Sequence, residues 1–114
     1  MKIAPDVPQY CNNLAKVEHG HAAAIDNPVA KSEALSKAYG YDQKGFQANP
    51  VEVNNIYQLV FSAWEAGNNG RSELRQETIR LYERIMAIIP SDRLAQERHK
   101  ILTDALAQYN KYYR

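Results

Sequence analysis

The residues with the most obvious chemical potential sit near the start of the chain, in Glu18-His19-Gly20-His21. Two histidines and a carboxylate in four positions invite a metal-site reading. Helical geometry argues against it. At 100° per residue the two rings point about 200° apart, whereas helical ligand pairs stand at i and i+4. His19 projects to the polar side. His21 shares a face with Tyr10, Leu14, Val17 and Ile25, so it is expected as a packed, hydrogen-bonded histidine. Glu18 lies beside that face, and Glu18 with His21 forms a candidate buried polar cluster. No metal and no cofactor is expected. Cys11, the single cysteine, would need a nearby base to act as a nucleophile. Its expected role is that of a small buried hydrophobe.

Further along, charge interrupts apolar stripes. Arg75 falls within the stripe of one predicted helix and Arg98 within that of the next. Buried charges need partners. Either at least one arginine pairs with Glu18 or donates to backbone carbonyls, or both lay their alkyl stems on the core with the guanidinium in water. The tail, Gln108-Tyr109-Asn110-Lys111-Tyr112-Tyr113-Arg114, offers a contact surface. Tyrosine and arginine combine apolar area with polar ends and recur at interface hot spots. Tyr109, Tyr112, Tyr113, Arg98 and Arg75 are therefore the candidate binding residues. Tyr41 and Phe46 join them as aromatics in a predicted loop. No nucleophile elbow, glycine-rich phosphate loop, metal-ligand cluster or paired-carboxylate motif occurs, so no enzymatic activity is expected.

Five amphipathic helices have to position these side chains. The first spans about 7–24, with Asp6 as N-cap and Gln9 three residues on. The second spans 28–39, with Asn27 as cap, Pro28 at its first position and Gly40 as its stop. Residues 40–48 lack helical period and are predicted as a loop. The third spans 50–66, capped by Asn49, with Val53, Ile56, Tyr57, Val60, Ala63 and Trp64 on one broad face. A face that wide marks a central helix. The fourth spans about 72–88, and the fifth runs from 92 to about 112 with Ser91 as cap. No alternating strand pattern appears. The expected architecture is a single all-α domain over 1–114, a compact bundle with partly antiparallel neighbours.

Leu81-Tyr82-Glu83-Arg84-Ile85-Met86-Ala87-Ile88-Ile89-Pro90 resembles the second helix of a tetratricopeptide repeat, in the spacing of Tyr82 to the closing Pro90. The resemblance covers this one helix and Trp64 before it. Thr78 stands where that family usually has alanine, and Glu65 and Asn69 depart from its apolar and aromatic positions. It is a resemblance of packing, and no peptide-binding residues follow from it.

Composition bounds the function classes. With 114 residues, 45% hydrophobic and 24% charged, the chain suits one ordinary globular core. The formal net charge is +1. It divides as −2 over residues 1–69 and +3 over 70–114, too little to steer the whole protein towards nucleic acid or membrane. A lone cysteine suits a reducing cytosol, and the opening residues lack the apolar run of a signal peptide. A cytoplasmic location is expected, with an exported mature form carrying an added Met as the alternative. No membrane span is expected. The reading is a small helical protein-binding module, such as an adaptor, an inhibitor or an immunity-type or phage-type protein, that recognises another protein by surface complementarity. Self-association into a homo-oligomer is compatible with it. The alternative is nucleic-acid binding through the basic helices over 72–112, using Arg71, Arg75, Arg93, Arg98, Lys100, Lys111 and Arg114. A small enzyme built around Glu18, His21 and an arginine ranks last.

Overall fold

Polar caps and turn residues divide the chain into five helices: α1 (Val7–Ala23), α2 (Pro28–Ala48), α3 (Val53–Gly67), α4 (Leu74–Ile88) and α5 (Arg93–Tyr113). The structure, a computed structural model, describes the backbone of residues 7–113 and the side chains of 7–111. The expected Asp6 cap and Arg114, with the side chains of Tyr112 and Tyr113, lie outside the described residues. The all-α class and the five helices are as expected. No helix among the described residues is long and apolar enough to cross a membrane.

Local chemistry sets the helix ends. Asn27 Oδ1 accepts from Val29 N and Ala30 N, both at 3.0 Å, and so caps α2. The predicted stop at Gly40 is corrected, because α2 continues for two further turns to Ala48. A glycine within a helix costs up to about 1 kcal/mol. Three contacts beyond it offset that. Asp42 bonds to α3, Gly45 lies against α1, and Phe46 lies under the Arg84 guanidinium, 5.3 Å from its ring centre. Tyr41 and Phe46 are thus helical residues and not loop residues. Asn49, expected to open α3, instead closes α2, with its N–H directed at the carbonyls of Gly45 and Phe46. Glu52 takes over the α3 cap by accepting from Asn54 N at 3.3 Å.

At the last junction Asp92 performs two tasks with one oxygen. Its Oδ1 accepts from Ala95 N at 3.1 Å, capping α5, and from the Tyr57 hydroxyl at 2.8 Å, tying that cap to α3. Burial and the bond to Asp92 raise the Tyr57 pKa above the usual phenol range, so the hydroxyl stays a donor. Asp92→Ala is expected to lose about 1–2 kcal/mol, as cap removals do. A thermal melt should show the loss, and Ser91, the cap expected from sequence, should not take over. Full stability in the variant would contradict the double role.

The helices follow one another through space much as they do along the chain. α2 packs on α1, α3 on α2, α4 on α3 and α5 on α4, and α1 also touches α3. The core gathers Leu35 and Tyr39 from α2, Ile56, Leu59 and Val60 from α3, and Leu81, Tyr82 and Ile85 from α4. α3 is central, as its wide apolar face predicted. The result is a slab of 57 × 40 × 18 Å. Its radius of gyration, 15.1 Å, exceeds the roughly 13 Å of a round domain this size. A slab only 18 Å thick holds no more than two helix layers. That flatness leaves one face of α3, α4 and α5 open.

Candidate functional site: an apolar groove between α3 and α5

α4 forms the floor of this open face, and α3 and α5 form its walls. No α3 Cα lies within 8 Å of an α5 Cα, so the walls do not close on each other. The α3 wall presents Tyr57, Val60, Phe61 and Trp64, at helical spacings of three and four. The α5 wall presents Arg98, Ile101, Leu102, Ala105, Leu106 and Tyr109, at the same spacings. Two adjoining cavities of about 320 and 580 Å³ occupy the space, and both are lined by Trp64 and Leu102. The exposure of apolar bulk here is large: 53% for Phe61, 38% for Trp64, 65% for Ile101 and 60% for Tyr109. Single exposed hydrophobics need no explanation, but a facing pair of rows does.

Three of the residues singled out from sequence meet in this groove. Arg98 lines the first cavity, and Arg75 and Tyr109 line the second. Of the two alternatives for these arginines, the buried pair is not formed. Neither guanidinium makes a hydrogen bond or ion pair among the described residues, and both side chains are exposed. Their stems border the groove and their charged ends reach solvent. Tyr41 and Phe46 lie elsewhere, on α2.

The Glu18–His21 cluster is also corrected. His21 is exposed, and its Nδ1 lies 3.9 Å from Glu18 at the surface. α1 turns its large apolar residues outward, leaving Tyr10 and Val17 in solvent, and buries Cys11, Ala15 and Ala22. Small side chains let α1 and α2 approach closely. A Cβ on Gly45 would stand 3.3 Å from the Pro8 carbonyl oxygen. That rotation carries His19 inward in place of His21.

His19 then joins a network that sequence reasoning missed. Its Nε2 lies 2.9 Å from Ser62 Oγ, and the Ser62 hydroxyl donates to Asp42 Oδ2. One rung away, Asn12 Nδ2 donates to Asn55 Oδ1 at 3.4 Å. Both rungs join residues 43 apart in sequence, so α1 and α3 run parallel in fixed register. Burial raises the Asp42 pKa to about 6, against opposing pulls from Ser62 and Lys16. Burial lowers that of His19, opposed by Glu65. Ser, His and Asp together suggest hydrolysis, but the order is wrong. A catalytic carboxylate orients the histidine, and the serine stands at the open end. Here the serine is in the middle, bonded to the carboxylate itself and fully buried. The network fixes helix register. Its signal in sequence was the heptad spacing of Asn12 and His19 against that of Asn55 and Ser62.

Among the described residues no group of three or more His, Cys, Asp or Glu is placed to hold a metal ion. Comparison with protein-family models, with curated proteins and with solved structures found no match.

Proposed function

We propose that this protein is a small binding module that takes up a protein partner in the groove between α3 and α5. The observation that carries this reading is the pair of facing apolar rows, Phe61 and Trp64 on α3 and Ile101, Leu102 and Leu106 on α5, held apart over α4. Buried aromatic and aliphatic anchors at the centre of an interface carry most of its binding energy. A concave apolar floor with a few polar side chains at its edge is the geometry such anchors need.

The nucleic-acid reading has less support. Three of the basic residues on this side already hold carboxylates: Arg71 with Glu73, Arg80 with Glu77 and Lys100 with Asp104. Among the described residues that pairing leaves fewer free cations to track a phosphate backbone.

Capture of partners from native lysate tests the proposal when three baits are compared. Proteins retained by the wild type and by Val17→Glu, an exposed position on α1 away from the groove, should be lost with Ile101→Glu. If Ile101→Glu captures the same proteins as the wild type, the groove is not the binding surface. Because Ile101 is exposed, its replacement should leave the melting temperature within a few degrees of the wild type.

A further inference from the structure

We propose that the groove selects an acidic amphipathic helix, one that carries carboxylates beside its apolar stripe. This rests on the groove being the binding surface and adds the chemistry of its occupant. The shape comes first. Helices in contact lie 8–10 Å apart, so the two walls flanking α4 stand at most roughly 16–20 Å apart between axes, and a helix about 10 Å in diameter can lie in the seam over α4. From Arg98 to Tyr109 the α5 wall rises about 16 Å, or three helical turns. The walls repeat at three and four residues, the spacing on which helix ridges interlock. Leu102 and Trp64 belong to both cavities, so the trough is continuous along that length.

Charge then decides the kind of helix. Arg71, Arg80 and Lys100 are matched by carboxylates of this chain. The two arginines that line the groove, Arg75 and Arg98, pair with no carboxylate among the described residues. Glu73 also borders the second cavity, but it is engaged by Arg71 at 3.2 Å. A helix docking on the floor would strip water from both guanidiniums, and an uncompensated charge there opposes binding. Carboxylates on the occupant supply the missing acceptors, and the planar guanidinium fork holds them in two parallel bonds. A second copy fits less well. It would offer α5 with Arg98 in its own apolar row, setting cation against cation.

The test is selection from a phage-displayed library of 14-residue helices. Its apolar stripe is varied among Leu, Phe and Met, and its flanking positions among Glu, Gln and Lys. The wild type should enrich Glu at the flanks. Selected peptides should bind the Arg75→Glu/Arg98→Glu double variant at least tenfold more weakly, and selection on that variant should enrich Lys instead. Flanks that show no preference for Glu, or binding indifferent to the charge reversal, would overturn the acidic specificity. The groove itself would survive that result as long as Ile101→Glu still abolished binding. An empty selection, or peptides that Ile101→Glu retains, would overturn both. A dimer in sedimentation that Ile101→Glu dissolves would replace the acidic helix with a second copy. Circular dichroism of each variant checks that it is folded.

Discussion

Asp42→Asn should make the protein more stable at pH 8 and reverse the sign of its pH dependence between pH 4 and 6. Asp42 is 1% exposed, and its pKa is raised from 3.8 to about 6. A raised folded-state value means that the fold favours the protonated form. The stability it contributes is fully present below pH 3.8 and is lost as pH rises through 6. A shift of about two pH units corresponds to roughly 3 kcal/mol, a large part of the 5–15 kcal/mol that holds a domain together. The cause is visible in the structure. Only one carboxylate oxygen of Asp42 has a donor, from Ser62, and Oδ1 is buried with no partner. His19 acts in the opposite direction. Its pKa is lowered, so its contribution is present above pH 6.5 and is lost as pH falls through the folded value. With asparagine at position 42 the histidine term should stand alone, and stability should rise with pH through the histidine range. Denaturant titrations of both proteins from pH 4 to 8 give the comparison. Parallel curves for variant and wild type would show that Asp42 is not the group that titrates.

Ile56→Ala should be the most damaging single truncation on α3, costing about 3–4 kcal/mol, read as a lower denaturant midpoint at unchanged slope. Ile56 is fully buried within the core, so its truncation leaves a cavity. Ile56→Val should cost about 1 kcal/mol. Phe61→Ala, a larger deletion five residues along the same helix, should cost well under 1.5 kcal/mol, because the ring is already half in water. The ring also packs against that of His19, at 4.8 Å between ring centres. The inequality between the two positions tests which face of α3 is core and which is groove wall. Equal losses would mean that Phe61 is covered in solution.

The two variants also mark how far sequence reasoning reached. Asn27-Pro28, Gly67 and Pro90 punctuate the chain, and the five helices were legible from them. α2 was cut short at Gly40 because intrinsic preference was all that sequence offered there. The contacts of Asp42, Gly45 and Phe46 are tertiary, and they outweigh one glycine. α1 was read with the wrong face inward. Tyr10, Leu14 and Val17 make the larger apolar stripe, yet close approach to α2 selects Ala15 and Ala22, and size matters more than hydrophobicity at such a seam. Asn55 and Ser62 lie opposite the broad apolar face of α3. Their side is where α1 docks, so the central helix is buried on a side that looks polar. For the groove, Arg75 and Arg98 were legible as misfits in apolar stripes, and Tyr109 as a contact residue of the tail. Their convergence was not, because it requires α3 and α5 to stand on opposite sides of α4 without meeting.

The nearest-neighbour order of the helices has a consequence for motion. α3 is clamped on three sides, whereas α5 packs through its backbone on α4 alone and, among its described residues, fully buries only Ala95. Opening free energies in such a chain are graded, since each element can be released at the cost of its own contacts. Amide hydrogens over Ile101 to Lys111 should therefore exchange for deuterium well before those of Ile56 to Ala63. One flank of the cleft is held by three neighbouring helices and the other by one, so α5 is the flank expected to yield. If the groove takes the proposed occupant, part of the affinity goes into ordering α5, and binding should show first as slowed exchange along that helix.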